Sequence, residues 1–261
     1  MNCLIETALL THGLRSIANE ELAQSWHCPD AILAWVDGGE LKLGPIGEYL
    51  PFRERSEELI RIDCDHLEEA LQTGASGALT ASGTMAVCRR LDIPMAITCG
   101  MGGIGDLRGE ELCPDLPALM NIPVALISTS PKDMLDRPAT LDWLRRHGVH
   151  TTGEPCTGYL FCGEPVALEL PLSSCNNEAA VRRLTANGGL LLLNPIPEKE
   201  RVQDRSILVD AIKAGKQAEA EGHYYHPAAN GEIDRRTGGY SSRIQLESIQ
   251  QNYLLAKSIM D

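Results

Sequence analysis

The sequence predicts an α/β protein built on a mostly parallel central sheet, and three observations carry that prediction. Short aliphatic runs alternate with amphipathic segments almost from end to end, the rhythm of strand–helix–strand units in a doubly wound or related sheet. Aromatic residues are scarce, with 2 Phe, 6 Tyr and 3 Trp, so the core must be aliphatic, as it often is in parallel-sheet proteins. No repeat and no linker rich in Pro, Gly and Ser interrupts the chain, which favours a single domain over residues 1–261.

The expected strands are "CLIETALL", "AILAWVDGG", "ELIRID", "IPMAIT", "VALIST" and "LLLLNP". Helical spacing between them marks 16–27, 67–72, 83–91 and 140–146. Gly148 closes the last of these, and "VHTTG" then reads as a further strand. After "LLLLNPIPEKER" a helix is expected over 208–221. A final helix places Leu246, Ile249, Tyr253, Leu254 and Ile259 near helical spacing, a stripe that packs on a core or meets a neighbouring subunit.

The 23 Lys and Arg stand against 36 Asp and Glu, a net charge of −13. Broad surfaces for nucleic acid or anionic membrane need clustered cations, so neither is an expected partner. A small anionic substrate stays open where a few cations converge. No apolar run approaches the roughly 20 residues that span a bilayer, and "MNCLIETALLTHG" has no basic leader segment, so a soluble, cytoplasmic protein is expected. Nine scattered cysteines with no C-x-x-C pair read as reduced thiols, not as a disulfide framework or a zinc site.

Lys132 in "VALISTSPKDMLD" follows a strand-like run, and Pro131 reads as the first residue of a helix. A lysine in a helix's first turn is repelled by the dipole, which lowers its pKa and suits an amine nucleophile. A solvated lysine at a helix start is the other reading, and this segment alone does not choose. "CGMGGIG" contains G-x-G-x-x-G at Gly100, Gly102 and Gly105, yet polar, turn-rich sequence follows where a dinucleotide site needs a helix. What remains is a glycine-rich loop that lets a ligand approach backbone N–H groups.

Glu6 lies inside the first expected strand, where burial raises a carboxyl's pKa and suits a general acid; an edge-strand glutamate facing water is the alternative. Glu110, Glu111 and Asp115 supply oxygen ligands for a hard divalent cation or simply form a solvated loop. His223 and His226 have metal-pair spacing only on a helix, and Pro227 argues for loop histidines instead.

Taken in order, these features resemble the pseudouridine-5′-phosphate glycosidase family, which includes indigoidine-cluster homologues. "ETALLTHG", "CGMGGIG", "CPDLPAL", "STSPKDMLD", "TLDWLRRHGV", "NGGLLLLNPIPE" and "RRTGGYS" match family blocks in order along essentially the whole chain. The resemblance implies a three-layer α/β/α fold, a homotrimer and manganese-dependent, reversible cleavage of a C–C glycosidic bond. It places Lys132 as the nucleophile that forms a Schiff base with the opened sugar's C1. It places Glu6 as the acid/base that protonates the departing base, Glu111 as a metal ligand and Asp115 as a substrate contact.

The departures from the family fall in the recognition shell. Arg61 replaces a substrate-binding lysine, keeping the charge but not the ability to relay a proton. Ala81 stands near a substrate-contacting valine, Cys113 and Pro114 replace Ser-Ala, and Gln245 stands for a site asparagine. "HPAAN" replaces Thr-Pro-Phe-Leu-Leu. The resemblance therefore implies a Schiff-base-forming C-glycosidase-like enzyme joining or parting a sugar, ribose 5-phosphate-like, and a heterocycle, with the substrate diverged from pseudouridine 5′-phosphate. The alternatives are a Schiff-base lyase on another sugar or keto compound, and a non-catalytic metabolite-binding homologue.

Overall fold

The computed structural model describes residues 1–105, 113–155, 158–186, 188–223 and 225–260. The chain opens with β1 (Cys3–Ile5), a π-helical turn over Leu9–Gly13, α1 (Asn19–Ser25) and the hairpin β2 (Leu33–Asp37) and β3 (Glu40–Gly44). There follow α2 (Ile46–Arg53), β4 (Ile60–Ile62), α3 (Leu67–Thr73), β5 (Gly77–Leu79) and α4 (Ala81–Arg90). Next come β6 (Met95–Ile97), the two-residue β7 (Gly100–Met101), α5 (Asp115–Asn121), β8 (Ala125–Ser128) and the two-residue β9 (Ser130–Pro131). Then α6 (Arg137–Arg146), β10 (His150–Gly153), α7 (Glu178–Thr185) and β11 (Leu190–Leu193) lead to α8 (Ser206–Ala220), α9 (Tyr225–Arg236) and α10 (Tyr240–Met260).

The main sheet runs β10-β11-β8-β6-β1-β2-β5-β4, with β3 added to β2. All neighbours are parallel except the β2–β3 and β2–β5 pairs. Successive strand residues point to opposite faces. Ile5, Ile97, Ile127 and Leu192 pack on one side with α1, α2 and α7–α10. Leu4, Ala96, Leu126 and Leu191 pack on the other with α3–α6. Two covered faces make the three-layer α/β/α arrangement that the family resemblance implies. Each fully buried Leu or Ile contributes roughly 1.5–3 kcal/mol, so the continuous aliphatic runs supply the main driving force.

Several expected boundaries shift. The first strand ends at Ile5, and Glu6 lies just beyond it, not within it. No helix begins at Pro131, which pairs with Met101 in β9, where a residue without an N–H is tolerated at a short edge. The helix begins at Arg137, because the Asp136 carboxylate accepts the Ala139 N–H at 2.9 Å and caps it. On α10, Leu246, Ile249, Tyr253 and Ile259 are buried and Leu254 is exposed. Its buried polar groups serve the strand ends: Asn252 Nδ2 donates to the Thr98 carbonyl at 2.7 Å. No helix among the described residues is long and apolar enough to cross a membrane.

Candidate active site

The carboxyl ends of the parallel strands β1, β6 and β8 deliver the chemistry-bearing residues, as open α/β sheets generally do. Glu6 leaves β1 with its N–H still bonded to the Ile97 carbonyl at 2.9 Å. The next residue, Thr7, donates Oγ1–H to the Ala34 carbonyl at 2.8 Å and accepts the Leu79 N–H at 3.0 Å. Glu6 is thereby held between two strands before the chain turns away.

After β6 the glycine-rich segment becomes β7, which pairs in parallel with β9 through Gly100↔Ser130 and Met101↔Pro131. The Lys132 N–H continues that ladder to the Met101 carbonyl at 3.2 Å. Glycine is required here by close packing. A Cβ on Gly100 would lie 2.6 Å from the Tyr159 ring, and one on Gly102 would lie 2.0 Å from Cys113 Sγ. The Gly102 N–H donates to Asp115 Oδ2 at 2.7 Å, while Asp115 Oδ1 accepts the Ser82 N–H at 3.1 Å. One buried carboxylate thus joins the glycine turn to the start of α4.

Lys132's neighbour Asp133 takes three backbone N–H groups, from Tyr159 at 2.8 Å, Leu160 at 2.7 Å and Phe161 at 3.0 Å. That clamp presents the Tyr159 ring to the site. The Tyr159 hydroxyl donates to Gln245 Oε1 at 2.9 Å, and the Gln245 amide donates to the Ser241 carbonyl at 3.1 Å.

These elements surround a polar cavity of about 50 Å³. Glu6, Lys132 and Asp115 line its floor with Tyr159 and Gly100; Arg61, Thr80, Ala81 and Asn230 complete the wall. A larger groove of about 480 Å³ runs between α3, α4 and α5, but its charged lining, Asp65, Glu68, Arg89 and Arg90, holds no lysine amine. The smaller cavity is the candidate site.

Its electrostatics are those of buried charges facing one another. Burial raises the Glu6 carboxyl to about 7; the nearby Thr98 hydroxyl, although outside good hydrogen-bond geometry, and the charges of Lys132 and Arg61 pull it down, while Asp115 pushes it up. Glu6 is therefore poised to hold or release a proton near neutrality. Burial, then the Arg61 charge, lowers the Lys132 amine, and Glu6, Cys113 and Asp115 oppose the shift. The suppressed amine pKa expected from sequence is present, but desolvation and Arg61 cause it, not a helix dipole. Among the described residues no carboxylate pairs with Arg61, which leaves its guanidinium available to an anion.

The family model described as Indigoidine synthase A like protein matches residues 4–260. The chain belongs to that family. A pseudouridine-5′-phosphate glycosidase of Methylobacterium nodulans is 28% identical to this indigoidine synthase A like chain over 276 residues, 98% of this chain and 81% of its own length. The indigoidine synthase A-like protein of Thermotoga maritima superposes with a TM-score of 0.78 at 20% identity, covering 98% of this chain and 91% of its own. The prealnumycin C-glycosynthase AlnA, solved in complex with ribulose 5-phosphate, superposes with a TM-score of 0.76 at 23% identity and the same coverage of 98% and 91%.

In this indigoidine synthase A like chain Glu6, Lys132, Arg61, Ala81 and Asp115 meet at the cavity as the motifs imply. Three expected substrate contacts do not line it. Cys113 packs behind Gly102, where burial pushes its thiol up to about 12, and Pro114 caps α5. Gln245 sits behind Tyr159 and reaches the cavity only through that hydroxyl, because both ends of its amide are already engaged. Asp115 begins α5, where the acidic segment was expected to remain a loop before a strand.

Glu111 and Glu110, the candidate metal ligands, lie outside the described residues. Among the described residues no three His, Cys, Asp or Glu side chains converge on a cation position, and both Asp115 oxygens are taken by backbone amides. The residues described do not make up a manganese site, and the chemistry derived below uses none.

Two residues were missed in the sequence. Tyr159 carries no motif signal, since its place depends on the Asp133 clamp. Pro227 predicts a loop for His226, yet the residue lies on α9, whose first turn accepts Pro227 because N–H groups there have no partner in the helix. His223 precedes α9, so the two histidines do not share one helical face.

Proposed function

We propose that this chain is a Schiff-base-forming C-glycosidase-like enzyme acting on a ribose 5-phosphate-like sugar and a heterocycle. The observation that carries the reading is the convergence, in one cavity, of an amine with a suppressed pKa and a carboxyl held near 7. Both shifts suit proton exchange and imine chemistry near neutral pH. The curated relatives support it, since they are named pseudouridine-5′-phosphate glycosidases.

In the cleavage direction the Lys132 nitrogen bonds C1 as the C1–ring-oxygen bond breaks, the amine's proton ending on that oxygen as a hydroxyl. The C1–base bond then breaks with its electron pair leaving on the heterocycle while the nitrogen lone pair forms the C=N bond. Glu6 supplies the proton that the heterocycle takes up. Water then hydrolyses the imine, returning the free amine and a sugar aldehyde. The synthetic direction runs the same steps backwards, and the name of AlnA as a C-glycosynthase supports joining as well as parting. Arg61, with the N-terminus of α4 at Thr80 and Ala81, is the proposed seat for the sugar's phosphate. Manganese and the homotrimer come with the family resemblance, the metal resting on Glu111, and the cytoplasm is the proposed compartment.

Intact mass after borohydride trapping, with ribose 5-phosphate and free ribose offered separately, tests the reading. An adduct is expected on the wild type and none on Lys132→Ala. No adduct with either sugar would overturn the imine chemistry with this sugar.

A further inference from the structure

Helix α9 brings one polar group to the same cavity and a second within reach of its charges. Asn230 lines the wall beside Glu6 and Lys132. His226, one turn earlier, lies on the same side of the helix, since residues four apart are neighbours. Its imidazole is near enough to Lys132 and Arg61 for both charges to act on it, and burial with those charges holds its pKa down at about 3. His226 is therefore a neutral hydrogen-bonding group. Helix α9 also packs against the Leu9–Gly13 turn, the segment that leaves Glu6. Asn230 thus shares the cavity lining with Glu6, the proposed proton donor to the departing group, and His226 stands within reach of the Lys132 and Arg61 charges.

Among the described residues His226 Nδ1 and Asn230 Oδ1 are both buried without a hydrogen-bond partner. Each such group is costly to bury unless something satisfies it. Two of them on one helix face, beside a cavity, point to a ligand that completes them.

We propose that His226 and Asn230 form the subsite for the non-sugar half of the substrate, and that they select a heterocycle presenting a lactam edge, with an N–H donor beside a carbonyl acceptor. The Asn230 side-chain amide matches that edge, its oxygen accepting the ring N–H and its NH₂ donating to the ring carbonyl. The neutral imidazole adds one further donor or acceptor. A purely apolar aglycone would leave both groups unsatisfied, which is the stronger route to discrimination. This subsite rests on the proposed function, because it assigns the cavity to two halves of one substrate.

The test measures binding, so that it does not depend on turnover. Lys132→Ala protein is titrated with ribose 5-phosphate, pseudouridine 5′-phosphate and uridine 5′-phosphate, and the same titrations are made with Asn230→Leu or His226→Phe added. The readout is the affinity for each nucleotide divided by that for ribose 5-phosphate. At least one nucleotide is expected to bind better than the bare sugar phosphate, and either added substitution is expected to lower that ratio by about tenfold or more. A ratio that survives both substitutions, equal losses for nucleotide and sugar phosphate, or no nucleotide advantage at all overturns the subsite. Borohydride trapping of wild-type protein with ribose 5-phosphate is read separately, so failure of the imine chemistry is distinguished from failure of the subsite.

Discussion

Lys132 and Met101 are joined by a backbone hydrogen bond of 3.2 Å, from the lysine N–H to the methionine carbonyl. The amine-bearing residue is therefore an extension of the glycine-rich turn, and whatever disturbs that turn moves the lysine.

Gly102→Ala is expected to destabilise the protein and to weaken Lys132-dependent adduct formation. Its Cβ would lie 2.0 Å from Cys113 Sγ and 3.1 Å from Asp115 Oδ2, an overpacking that costs about 1–3 kcal/mol. Gly47→Ala is the contrast, because Gly47 lies within α2 with nothing within 4 Å of a new Cβ. That change is expected to stabilise by about 0.4–1 kcal/mol. Denaturant unfolding of both variants reads the difference, and a fully stable Gly102→Ala would refute the close-packing account.

Glu6 makes stability depend on pH in an unusual direction. Its carboxyl is raised from 4.5 to about 7 in the folded state, so the folded protein holds this proton more tightly than the unfolded chain. The stabilisation is complete below pH 4.5 and is lost as pH rises through about 7. Glu6→Gln, which cannot ionise, is expected to exceed the wild type by up to about 3 kcal/mol near pH 8 and to match it near pH 4.5. Thermal unfolding at the two pH values checks this; the same difference at both would place the carboxyl in its ordinary range.

Tyr159 and Gln245 share a buried hydrogen bond of 2.9 Å. Tyr159→Phe leaves Gln245 Oε1 without that donor and is expected to cost about 1–3 kcal/mol. Adding Gln245→Leu removes the orphaned acceptor, so the double variant is expected to lose less than the two single losses combined. Additive losses in a denaturation cycle would mean that the pair does not act as a unit.

Arg61 is exposed, with its guanidinium at the cavity wall. Arg61→Gln is expected to reduce the preference for ribose 5-phosphate over ribose by about tenfold, and to flatten the salt dependence of sugar-phosphate binding. Calorimetric titration at two ionic strengths measures both effects. An unchanged preference would move the phosphate seat elsewhere.

Much of the site was legible before the fold was known, and the exceptions share a cause. Glu6, Lys132 and Asp115 each sit beside an apolar or turn-forming run, which marks them as candidates within a few positions, and the family resemblance singles them out. The chemical environment of Lys132 was not legible: Pro131 suits a helix start as well as a strand end, and only the pairing with Met101 decides between them. Tyr159 and Gln245 are 86 residues apart and meet through a side-chain contact. The helical place of His226 is hidden by Pro227, a helix breaker in most positions that the first helical turn tolerates.

The sequence by itself determined the strand–helix alternation and the aliphatic two-faced sheet, because periodicity and turn chemistry act over neighbouring residues, and the acid–amine pair came into view only through the family resemblance. Only the tertiary structure decided that Lys132 follows directly on β9, that Gln245 is bonded to Tyr159, and that α9 brings Asn230 to the cavity wall. Those outcomes depend on backbone ladders and burial between segments far apart in the chain. Desolvation, the force that tunes both Glu6 and Lys132, exists only once distant segments have closed around them.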